Sequence, residues 1–269
     1  MNLLEISKFL SLAAGITTIG LLLAIAFFLN DVEGKLGETA KALRNITSIA
    51  ALIWAITTGA LIVATLANIL GTDLSGALDP TSMRSFISQI TLGKYMFAQL
   101  CLALLVALVA IRIRGVAGAN ALLLLSLAAI IAPVFESHAA SGGSHSLVIG
   151  SLVIHVIALA LWVGGVIALG TLSAQDRPTA VPRFSQMALW SAIAVVVSGT
   201  VNAWARLNFV DAWNSSYAFV VLGKIVATVV LLWIGYLHRK TLSNKDTINW
   251  VGFAKILTVE ATIMVVTVL

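Results

Sequence analysis

The sequence predicts an all-α membrane protein: a polytopic transmembrane helical bundle of about eight spans, arranged as two similar four-helix halves. Three observations predict it. Of the 269 residues, 60% are hydrophobic and only 10% are charged, against roughly 25% charged in ordinary globular proteins. That is too little charge to keep a soluble surface dispersed. Long apolar runs recur at about the 20 residues that a helix needs to cross roughly 30 Å of hydrocarbon. The basic residues then fall in alternate connections between those runs.

The first run, near 8–29, is longer than the apolar stretch of a signal peptide. It is followed by Asn30-Asp31-Val32-Glu33 rather than by a small-residue cleavage site, and Glu5 and Lys8 precede it. It therefore reads as a retained first span. Three more spans are expected at 46–70, 91–111 and 119–135, the fourth short and closed by Pro133. The second set is expected at 147–172, 185–206, 217–237 and 250–269. The last stops at Leu269 without a polar tail, which reads as a fragment or as the front part of a longer protein. The boundary between halves is placed at 136/137, giving one integral membrane domain of two parts, 1–136 and 137–269.

Charge sets the expected orientation. The connections after spans 1, 3, 5 and 7 hold Lys35, Lys41, Arg44, Arg112, Arg114, Arg177, Arg183, Arg239, Lys240 and Lys245. The N-terminus and the other connections hold Lys8, Arg84 and Arg206. This bias follows the positive-inside rule and puts the N-terminus outside. Asp73, Asp79, Glu136 and Asp211 then lie on the outer side, where they either favour cations or are ordinary solvated loop residues. The net charge of +5 does not point to nucleic acid, because the bases form no patch interleaved with aromatics. The single cysteine, Cys101, sits in an apolar run and offers neither an intramolecular disulfide nor a CxxC metal site.

The halves resemble each other weakly. Thr58-Gly59 in span 2 and Leu92-Gly93-Lys94 opening span 3 have counterparts in Ser198-Gly199 of span 6 and Leu222-Gly223-Lys224 of span 7. Arg44 before span 2 matches Arg183 before span 6. Four spans per half give both halves the same orientation, related by an axis along the membrane normal, an arrangement common in transporters. Gly59, Gly199 and Gly223 also have a plainer use, letting helices pack closely.

Chemistry concentrates in Glu136-Ser137-His138-Ala139-Ala140-Ser141-Gly142-Gly143-Ser144-His145, followed by His155 and Leu161-Trp162-Val163-Gly164-Gly165. Three of the four histidines lie within this stretch. Imidazole is the commonest protein metal ligand, and neutral nitrogen suits copper, zinc and nickel. His138, His155 and His145 are thus the candidate metal ligands, with Gly142 and Gly143 able to fold the loop back over His155. Each has a bland rival: His145 as a solvated loop residue, His155 as the partner of a helix–helix hydrogen bond, Trp162 as packing or an interfacial anchor.

Thioethers would select Cu(I). Met1, Met83, Met96 and Met264 map to the outer side but form no cluster, so each alone reads as core filler. Lys224 and Glu260 are ionisable groups at membrane depth and are expected to face the bundle interior, where charge finds partners. Glu260 could carry a proton, bind a cation or stay neutral in a structural hydrogen bond. Lys94 lies nearer its helix end and can snorkel.

The succession Ser137-His138-Ala139-Ala140, His155, Leu161-Trp162-Val163-Gly164-Gly165, Arg183-Phe184-Ser185, Ser198-Gly199-Thr200-Val201-Asn202-Ala203, Tyr217 with Leu222-Gly223-Lys224, and Glu260 resembles the copper resistance protein D family of bacterial membrane proteins. The likeness runs over about 137–260, and the front half fits by helix count and the repeat. It implies copper transport or handling at the inner membrane, with copper ion as the cargo and a periplasmic or extracellular copper-binding protein as partner. Some relatives carry a cytochrome oxidase assembly domain after this region, which gives the alternative of a copper-delivery factor. His138 and His155 carry the role over first, then Trp162, Lys224 and Glu260. The methionine-rich segments of some copper proteins are absent. No enzyme activity is expected, and no G-x-x-x-x-G-K-[ST] is present to hold a nucleotide. A bis-histidine haem protein is a third reading, weakened because His238 lies on the side opposite His155.

Overall fold

The computed structural model describes residues 2–29, 31–32, 35–136, 145–206 and 216–243. They are almost entirely helical. Seven of the helices are long and apolar enough to cross a membrane, and they coincide with the first seven expected spans. The eighth, at 250–269, lies outside the described residues, and so does Glu260.

The apolar runs locate the spans but not their starts. α1 (Leu3–Leu23) begins well before its apolar run, because Asn2 and Glu5 form a reciprocal capping box: Glu5 N donates to Asn2 Oδ1 at 2.9 Å and Asn2 N to Glu5 Oε2 at 3.0 Å. Those bonds satisfy amides that would otherwise be orphaned at a helix start. α1 runs on into a π-helical turn, Ala24–Phe28. α2 (Glu38–Leu70) likewise takes in Glu38, Lys41 and Arg44, expected to be loop residues. A minimal hairpin, Asp31–Val32 with Lys35–Leu36, joins α1 to α2. Gly71, at φ +63°, ends α2 in the left-handed conformation.

Two helices between the second and third spans escaped the hydropathy pattern. α3 (Leu74–Ala77) is one turn, and α4 (Pro80–Gln89) is too short and polar to read as a span. Asp73 and Asp79 cap them, accepting from Gly76 N at 2.9 Å and Ser82 N at 2.8 Å. These bonds hold both carboxyls below the usual carboxylate range. Helix capping thus accounts for two of the four acids read from the sequence as either cation-attracting or ordinary loop residues. α5 (Thr91–Ala110) and α6 (Val116–Ile131) complete this part of the chain, α6 passing into a short 3-10 turn at Ala132–Phe135.

The chain divides into two compact units, 1–141 and 142–269. In the first, α2 packs against α1 and α5, and α6 against α1 and α5, which closes a four-helix ring with α4 laid on α5. Ala51, Ala103, Ala110, Ala119 and Ala129 are fully enclosed. Small residues matter here because lipid removes the hydrophobic drive between helices and leaves close van der Waals contact to hold them. Large apolar side chains such as Ile56, Leu108 and Leu124 face outward, as hydrocarbon requires. Arg44 Nη1 donates to Ile113 O at 2.9 Å and Ser48 Oγ to Ala107 O at 2.6 Å, tying α2 to the far end of α5. Met83 and Met96 share an apolar cluster with Ile62, Leu66, Ala77 and Phe86, so both act as packing.

A buried pair of hydroxyls also links α1 to α2: Ser11 Oγ lies 2.9 Å from Thr58 Oγ1. Interhelical bonds of this kind contribute about 0.6 kcal/mol in membrane proteins. A double-mutant cycle on Ser11→Ala and Thr58→Ala, read by unfolding in detergent, is expected to return a coupling of about that size.

The second unit contains α7 (His145–Thr171), α8 (Arg177–Arg206) and α9 (Ser216–Ser243). α7 and α8 are intimately packed, whereas α9 meets α8 only sparsely. At Gly165 a side chain would collide with Phe184 and Met187 of α8. The close approaches are thus at Gly15, Gly93 and Gly165, while Gly59 and Gly223 face open space; of the three glycines expected to bring helices together, only Gly199 has a near neighbour.

Candidate functional site

α7 and α8 run antiparallel, and each step of four along one is matched by four back along the other. That spacing keeps residues on one helical face. It sets Ser151 and His155 of α7 opposite Asn202 and Ser198 of α8. His155 Nδ1 lies 3.0 Å from Ser198 Oγ, and Ser151 Oγ lies 3.0 Å from Asn202 Oδ1. A further seven residues along the same faces come Trp162 and Ser191, both 5% exposed. The result is a polar seam inside an apolar helix pair.

The hydrogens within the seam can be assigned. Ser198 also bonds back to the carbonyl of Ala194, one turn earlier on its own helix, the usual arrangement for serine inside a membrane helix. A hydroxyl has one hydrogen. With it on Ala194 O, Ser198 Oγ accepts from His155 Nδ1–H. The neutral imidazole is then the Nδ1–H tautomer, which puts the lone pair on Nε2. Gly199 lies against the ring, where a Cβ would make ordinary van der Waals contact with His155 Cε1 at 3.4 Å.

The same contact occurs in the first unit with other residues. Thr58, the repeat counterpart of Ser198, receives Ser11 where Ser198 receives His155. At these matched positions each unit thus carries a hydroxyl-centred bond between its first two long helices, and the second unit's includes a titratable ring.

His155, half-buried, makes the helix–helix hydrogen bond that its bland reading anticipates, and that bond puts the lone pair on Nε2. Trp162 is enclosed packing rather than an interfacial anchor. Lys224 on α9 is exposed, contrary to the expectation that it faces the bundle interior. Among the described residues α9 meets α8 only sparsely, which leaves this part of it uncovered. It is nevertheless within electrostatic range of the His155 ring. His145 opens α7, but its side chain is outside the described residues, and so is all of His138. Among the described residues no group of three or more His, Cys, Asp or Glu side chains could hold a metal. Sequence reasoning named His155 and the segment holding Ser198 and Asn202 but overlooked Ser151. Its signal was the four-residue spacing from His155.

The profile of the copper resistance protein D-like N-terminal domain matches residues 2–147, and that of copper resistance protein D matches residues 178–269. The first covers more than half of the chain and reaches the front half, where the likeness had rested on helix count. The stretch between them contains His155, while Ser198 and Asn202 fall within the second match. No curated protein and no solved structure matches the chain. Seven apolar spans and the two matches make this a multi-pass membrane protein with a role in copper resistance or handling. The chain belongs to the copper resistance protein D family.

Proposed function

We propose that the protein takes copper from the outer side of a bacterial cytoplasmic membrane and passes it inward, with His155 as the capturing ligand. The observation that supports this is the hydrogen-bond order around His155: Ser198 occupies Nδ1, so Nε2 presents its lone pair. A metal-binding histidine is normally oriented in this way, by a hydrogen bond to its other nitrogen. The positive-inside bias places the N-terminus and the Ser151 end of α7 outside. His138, earlier in the sequence, and His145, the first residue of α7, are the further imidazoles we assign to an incoming ion. The ring lies about 12 Å along the helix from Leu147, deep enough to separate the ion from bulk water. With no nucleotide-binding motif in the sequence, passage is passive, coupled to a gradient or driven by a partner such as a periplasmic or extracellular copper-binding protein.

Copper flux into vesicles reconstituted with the purified chain tests this. Wild type is expected to conduct copper, and His155→Ala to lose at least tenfold of the rate. Equal flux through both would remove His155 from the path. Copper binding without flux would favour a delivery role, in which the ion is handed to an oxidase-assembly domain on the same outer side.

A further inference from the structure

Asn202 has an unsettled account in the seam. Its Nδ2 is buried and has no hydrogen-bond partner, one of three such side-chain atoms among the described residues. Ser151 Oγ lies 3.0 Å from the Asn202 amide and also 3.0 Å from the Val148 carbonyl on its own helix. Its single hydrogen can serve only one of these acceptors. With the hydrogen on Val148 O, as Ser198's is on Ala194 O, the hydroxyl becomes an acceptor and the amide turns its nitrogen toward it. Asn202 Oδ1 then occupies the buried position without a partner. Either orientation of the planar amide leaves one polar atom unpaired, and leaving it so costs roughly 1–3 kcal/mol. A polar atom kept at that cost, one turn from the His155 ring on the same seam, points to a ligand that comes and goes.

We propose that Asn202 is a second cation-binding station, one helical turn from His155 along the α7–α8 seam on the Ser151 side, and that its oxygen makes this part of the path prefer Cu(II) over Cu(I). The proposal rests on the reading of His155 as the capturing ligand. Amide oxygen and imidazole nitrogen suit Cu(II), whereas Cu(I) is selected by thiolate and thioether. The described side chains of the seam offer nitrogen and oxygen. Among the described residues the methionine on this helix pair, Met187, packs against Gly165, ten residues along α7 from His155 toward its other end. Two weak stations a turn apart, about 5.4 Å of helix rise, hold an ion loosely enough for it to move on.

The purified full chain in lipid nanodiscs is titrated with Cu(II), followed by electron paramagnetic resonance, and separately with Ag(I) as a closed-shell stand-in for Cu(I). Asn202→Leu is expected to weaken Cu(II) binding at least tenfold and to change Ag(I) binding less than twofold. Asn202→Asp, which keeps an oxygen, should bind Cu(II) at least as well as wild type. Asn202→Met, which substitutes a thioether, should shift the preference toward Ag(I). Unaltered Cu(II) binding by Asn202→Leu overturns the station. Equal loss of both metals overturns the selectivity, as does a folded Asn202→Met whose preference is unmoved. His155→Ala separates the two readings. If it loses both metals while the Asn202 variants behave as wild type, only the second station fails; if it retains both, capture by His155 fails as well.

Discussion

Gly93→Ala is expected to unseat α4 and to destabilise the first unit by about 1–3 kcal/mol or more. A Cβ at this position would lie 2.7 Å from Phe86 C and closer still to its carbonyl oxygen. The obstacle is backbone, so no rotamer change relieves it. That carbonyl also accepts from Ile90 N, and Phe86 itself is 1% exposed, fixed among Ile62, Leu66 and Met96. Moving α4 aside would therefore open the cluster that seats it. Thermal or detergent unfolding measures the loss, with Gly59→Ala as control. Gly59 is mid-helix and a Cβ there meets nothing within 4 Å, so the substitution should be neutral or stabilise by up to about 1 kcal/mol through helix propensity. Equal stability of the two variants would refute the account of Gly93.

Ser198→Ala is expected to reduce copper affinity about 10–100-fold, the usual cost of removing the group that orients a ligating histidine, with a stability loss of only about 0.6 kcal/mol. The alanine takes the Ser198 hydroxyl from Nδ1, so the ring is less restrained in rotation and tautomer, and Nε2 holds its direction less firmly. Ser198→Thr keeps the hydroxyl and should bind nearly as wild type. Copper titration of the purified proteins reads affinity, and nitrogen chemical shifts of His155 read the tautomer. Wild-type affinity in Ser198→Ala would mean that the bond to Ser198 only joins two helices.

Much of the architecture was legible because hydrocarbon imposes a single strong rule, about 20 apolar residues per crossing. Where another rule governed, hydropathy was silent. Asn2 and Glu5 extend α1 through hydrogen bonds, Lys41 and Arg44 ride on α2, and α4 is amphipathic and short. Repeat-equivalent residues can also play different parts. Gly93 and Gly223 open matching Leu-Gly-Lys segments, yet one touches the backbone of α4 and the other open space. At the site, His155 stood out as an ionisable group in an apolar run. Ser151 did not, since a serine in a membrane helix ordinarily bonds to its own backbone, and its second neighbour comes from a helix about fifty residues away.

The lengths of two helices have a consequence for the lipid around them. α2 has 33 residues and α8 has 30, or about 50 and 45 Å at 1.5 Å per residue, against roughly 30 Å of hydrocarbon. Tilt absorbs only part of that surplus, so each helix must stand out of the bilayer by several turns. The surplus on both lies at the N-terminal end, where Lys41 and Arg44 sit on α2 and Arg177 and Arg183 on α8. These stems would form basic posts in the headgroup layer, giving anionic phospholipid a grip on the helices that need to stay upright. Membrane thickness and surface charge would then tune how steeply the helices stand.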